Sequence, residues 1–164
     1  PVDEWLHQRF ATHAHTIIVE EEVIPLAQEY GDIYKPNGIS GPQFAGFPKN
    51  ALPYDETEND QIIHHYPKLD VKDYYLNSAL ISLKIIMKKQ LNEKEYIYEI
   101  AKFYQLLINL HYFAAMNASL YMNLANGLLE IAGIPGIENG IIDFVALRLQ
   151  PENFAKYFYD EVVI

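Results

Sequence analysis

The chain has 164 residues, half of them apolar, with a formal net charge of -10, two arginines and no cysteine. That length suits one domain burying about 70% of its unfolded surface, and the composition excludes a disordered chain. The absence of cysteine excludes disulfide, zinc-thiolate and cysteine-nucleophile chemistry, and with no basic stripe nucleic acid is excluded as a partner. An acidic surface keeps the chain soluble and would suit a basic protein partner.

Taken in chain order, the sequence starts at Pro1 with no initiator Met and no signal pattern, so a trimmed or processed piece of a longer protein is expected. Asp3 is placed to cap a helix running through Trp5, Phe10, Ile17, Ile18 and Val19, bent by Pro25 and ended by Gly31. His13 and His15 lie on it ahead of Glu20, Glu21 and Glu22. Residues two apart on a helix point about 200° apart, so these histidines cannot share a metal ion. With Arg9 they could suggest an acid/base ribonuclease pair, but no basic surface exists to hold RNA.

Residues 31–69 hold most of the glycine and proline and show no helical period. They predict a long structured loop, with a short hairpin around Gln43 to Phe47, and loops of this length in small domains are often lids or docking segments. His64 and His65, just before Pro67, read as solvated turn residues.

From Asp70 the chain is helical again, with Tyr74, Tyr75, Leu80, Ile81, Ile85, Ile86 and Met87 as its expected apolar face. NEKE at 92–95 is a capping box that starts the next helix. Its apolar period then runs on without Gly or Pro to Gly127, far beyond the roughly 10 to 14 residues usual for a helix, so a break is expected. Asn117 is the best internal N-cap. After the turn at Gly133, residues 141–149 lead to Pro151, well placed as the first residue of a terminal helix. Gln105, Asn109, His111, Asn117, Asn123 and Asn126 interrupt the most apolar stretch, Phe103 to Ala132, which argues against a membrane span. No Walker loop, dinucleotide fingerprint or G-x-S-x-G is present. The 13 tyrosines fit half-buried helix faces or an interaction surface. The reading is a single all-α domain over 1–164, comprising an N-terminal helix (1–30), a loop region (31–69) and a helical core (70–164).

INLHYFAAMNASLYMNLANGLLEIAGIP resembles the core of the Fic/Doc family, whose signature is HPFxxGNGR, with His111, Phe113 and Asn117 on the family's His, Phe and Asn. GISGPQFAGFPKN, the Pro-containing HHYPKLD and two helices before the histidine follow the order in which that family places its target-docking flap and pre-motif helices. The resemblance implies a Fic-like helical domain with a long Gly/Pro-rich loop or short β-hairpin flap, the flap including Gly41, Gln43, Phe44 and Phe47. It implies His111 as the general base of a transferase that moves AMP from ATP with magnesium to a target hydroxyl. Phe113 would anchor the motif loop, and Asn117 would order it. A cytoplasmic protein or a secreted effector acting inside a host cell would fit, and the compartment stays open.

The departures oppose that chemistry. Ala115 stands where the family holds magnesium, Met116 and Ala118 where it has glycines around the phosphates, and Ser119 where it has arginine. No lysine or arginine lies between Lys102 and Arg148. Compensation of phosphate charge is most of what phosphoryl transfer asks of a protein. The expectation is therefore a Fic-like domain with no resident cofactor that works by binding a protein partner. An active nucleotide-linked transferase and an unrelated helical interaction domain are the alternatives.

Overall fold

The computed structural model describes residues 16–32, 38–39, 42–59, 61–88, 90–112, 117–138 and 140–163. The expected cap at Asp3, His13, His15, Gly41 and Phe113 lie outside them. The described chain is mostly helical and carries a small antiparallel sheet.

Helix α1, Thr16–Glu29, contains Pro25 and closes where Gly31 turns left-handed at φ 86°. The Asp32 N–H then reaches back to the Ala27 carbonyl at 2.7 Å, so an orphan helix carbonyl is satisfied as the glycine predicted.

The loop region differs from expectation. Residues 43–47 form a turn at Ala45–Gly46, not a hairpin, and fold Phe44 and Phe47 onto Tyr75, with ring centroids 5.5 and 4.8 Å away. Two aromatic rings gain more by burial there than a solvated strand would allow. The hairpin lies further on. Strands β2, Tyr54–Glu58, and β3, Gln61–His65, pair antiparallel, and the two-residue β1, Gly38–Ile39, adds to the outer edge of β2. Asn59, left-handed at φ 49°, begins the connecting turn. Asp55 pairs with His64 and Tyr54 with His65 across the ladder. Alternation then turns Asp55 and His64 inward, both buried, while Tyr54 lies outside with His65 stacked on it. His64, expected in a solvated turn, is a buried strand residue.

Helix α2, Asp73–Met87, packs through Tyr75, Ala79, Ser82 and Ile86. Tyr74, Leu80, Ile81 and Met87, expected in the core, are exposed, because the small residues Ala79 and Ser82 let the opposite face approach its neighbour closely. That neighbour is α3, Glu93–Leu110, the central helix, against which α2, α4 (Asn117–Ile131) and α6 (Pro151–Val163) all pack. Asn92 caps α3 by accepting the Glu95 N–H at 2.8 Å, and its side-chain amide donates to the Glu95 carboxylate. The acidic side chain thus meets the cap's amide, where a standard capping box would have it reach the backbone.

Two of the polar residues that argued against a membrane span bind α3 to α5, Ile142–Ala146. Gln105 Nε2 donates to the Ala146 and Leu149 carbonyls at 3.1 and 2.8 Å, and Asn109 Nδ2 donates to Ala146 O at 3.1 Å. They satisfy carbonyls that a one-turn helix leaves orphaned. Asn126 does the same for the 133–140 turn, bonding both main-chain groups of Ile137. A side chain at Gly136 would meet the Asn126 Oδ1 at 2.9 Å, so a larger residue there would have to displace the amide that bonds Ile137. Pro151 begins α6, as expected. No described helix is long and apolar enough to cross a membrane.

Candidate functional site: the His111 corner

The long apolar run breaks where the sequence demanded a break. Helix α3 ends at Leu110, α4 begins at Asn117, and His111 between them is left-handed at φ 45°, its N–H bonding the Leu107 carbonyl at 3.2 Å. For a residue with a Cβ this conformation costs about 1 to 2 kcal/mol, so something must hold it. Two groups do. The imidazole stacks face to face on Tyr66, centroids 3.8 Å apart and planes within 10°, and Lys72 Nζ donates to the His111 carbonyl at 3.0 Å.

Behind this corner lies a buried polar cluster. Tyr66 also meets His64 edge-on at 4.7 Å, and His64 Nδ1 is 2.7 Å from Asp55 Oδ1. Arg148 Nη1 lies 3.2 Å from Asp55 Oδ2 and 3.1 Å from His64 Nδ1. One nitrogen cannot both donate to Asp55 and accept from Arg148. The shorter carboxylate contact decides: Nδ1–H donates to Asp55, and Arg148 approaches Nδ1 because both serve the same carboxylate. Burial, reinforced by Arg148 and opposed by the Asp55 hydrogen bond, lowers the His64 pKa and keeps the ring neutral. The cluster then contains one cation and one anion, both buried, and ties the hairpin to the residue pair after α5 across 93 positions of sequence.

Desolvation brings the Lys72 ammonium down to about 8 and raises the Tyr66 hydroxyl, so both groups sit in a partly water-excluded environment. His111 itself is half-buried and its Nε2 is buried. Asn117 is buried too and is the first described residue of α4; residues 113–116, on which its expected role as a cap depends, lie outside the described residues.

Gln43, Phe44 and Phe47 flank the turn at Ala45–Gly46. Their described contacts run to Tyr74, Tyr75 and Gln150, the Gln43 N–H bonding Gln150 Oε1 at 2.9 Å, whereas those of His111 run to Tyr66 and Lys72. The three flap residues line a groove of about 570 Å³ whose other walls include Ile81, Tyr98 and Leu106. Sequence reasoning did not single out Asp55, Tyr66 or Lys72. The signal that could have found Asp55 and His64 is the run YDETE, Asn59, then QIIHH: two short alternating segments around a residue suited to a left-handed turn.

No family model, curated protein or solved structure matches this chain. The resemblance to the Fic/Doc family rests on the sequence pattern alone.

Proposed function

We propose that the chain is a Fic-like helical domain that acts by binding a protein partner and has lost ordinary AMP transfer. The observation that carries this reading is the engagement of the His111 corner. A general base needs its ring nitrogen open to a substrate hydroxyl; here the Nε2 is buried and the ring is packed flat on Tyr66. Arg148, the cation that could have folded over a phosphate, is buried against Asp55. The motif's own substitutions, Ala115, Met116, Ala118 and Ser119, point the same way. Partner binding is supported by the groove beside Phe44 and Phe47, which combines the predicted docking segment with exposed Ile81 and half-buried Tyr98.

One observation favours an active nucleotide-linked transferase instead. Lys72 places a cation 3.0 Å from the His111 carbonyl, close to where the resemblance puts the phosphates. Thermal unfolding with and without millimolar ATP and magnesium separates the two readings. A ligand at 100 times its Kd would add about 2.7 kcal/mol. The binding-module reading expects an unchanged melting temperature, and a clear rise that Lys72→Met abolishes would establish the transferase reading in its place.

A further inference from the structure

Eight of the twelve exposed large hydrophobic residues in the described chain lie on two helices, α2 and α4. Leu76, Leu80 and Met87 recur at one helical face of α2, and Leu120, Leu124 and Ile131 at one face of α4. One residue of each stripe, Met87 and Ile131, lines a shared groove of about 550 Å³ together with Tyr96, Leu128 and Glu93. The groove is firmly built: the Tyr96 hydroxyl donates to the Leu128 carbonyl and fixes α3 to α4. An apolar groove flanked by exposed apolar helix stripes is the kind of surface that marks an interface.

Charge identifies the occupant. The chain carries -10, so two copies repel wherever acidic surfaces meet. The face carries few charges, with Glu93 in the groove wall. Helix α4 bears one charged residue, Glu130, and otherwise exposes Ser119, Asn123 and leucines. The C-terminal half of α2 presents only Lys84 and, just beyond its end, Lys88. A twofold axis running along the helices that laid α2 of one copy on α4 of the other would bury both stripes and set Lys84 and Lys88 at the level of the partner's Glu130 twice over. A face that is apolar and self-complementary in charge meets the requirement of an isologous contact.

We propose that this α2–α4 face is the homodimer interface of the protein. The proposal is independent of the reading of the His111 corner.

Sedimentation equilibrium of the full chain, from low micromolar to several hundred micromolar, tests it. The mean mass should approach twice that of the monomer within this range. Leu124→Glu, at an exposed position, should return it to the monomer while circular dichroism shows the helices intact. Glu130→Lys should weaken association by about tenfold, and adding Lys84→Glu and Lys88→Glu should restore it. A native chain that stays monomeric throughout would assign the face to a foreign partner and overturn the proposal. So would a dimer that either Leu124→Glu or Glu130→Lys leaves at native strength.

Discussion

Asp55, His64 and Arg148 illustrate what a single buried side chain asks of its neighbours. A buried ion pair is a weak source of net stability, yet removing one partner leaves the other uncompensated at a cost of about 3 to 5 kcal/mol, so each member enforces the rest. His64 adds a dependence on pH. Its folded pKa lies below the ordinary value of about 6.5, mainly through burial, so the unfolded chain binds a proton that the folded chain refuses. Stability from this group is complete above that value and is lost as pH falls through it, at up to about 1.4 kcal/mol per pH unit. Denaturant unfolding of the native chain and of His64→Gln, measured between about pH 7 and pH 5, checks this. The native chain should lose stability more steeply on acidification, and equal slopes would contradict a neutral buried imidazole. His64 was misread in the sequence for a physical reason. Its burial depends on Arg148, 84 residues away, and nothing local distinguishes it from the outward-facing His65.

At the scale of elements, local chemistry was legible and lateral packing was not. The Asn92 cap, the Gly31 stop, the Pro151 start and the break after Leu110 each depend on a few adjacent residues, and each stands where the sequence put it. The exposed side of α2 could not be read this way: its apolar residues outnumber its small ones, yet Ala79 and Ser82 mark the packed face. The hairpin was placed some ten residues early because glycines near Gly41 and Gly46 outweighed the single left-handed asparagine that makes the turn. The break at His111 itself yields a prediction. His111→Ala should destabilise the fold, because the left-handed strain persists while the Tyr66 stack is lost. His111→Gly loses the same stack but removes the strain, so it should be more stable than the alanine variant by about 1 kcal/mol. Chemical denaturation of both variants gives the comparison, and an alanine variant equal to or better than glycine would mean that the corner is not held against backbone strain.

For the whole molecule, the central helix α3 supports two different surfaces. One end carries His111 with Tyr66 and Lys72; the middle lines the groove beside Phe44. His111 was singled out in the sequence, but Tyr66 and Lys72, which hold it, belong to a region that no local pattern connects to it. Under the proposed function the chain does not transfer AMP. Losing one oxyanion-type donor commonly costs a factor of about 10² to 10³ in rate, and the positions to which the resemblance assigns metal ligand, backbone donors and cation hold Ala115, Met116, Ala118 and Ser119, even if such losses do not multiply. The direct measurement is incorporation of labelled AMP from ATP and magnesium into the chain and into candidate target proteins, for the native sequence beside His111→Ala. The two should incorporate label at the same background rate. Robust incorporation by the native chain that disappears in His111→Ala would contradict it.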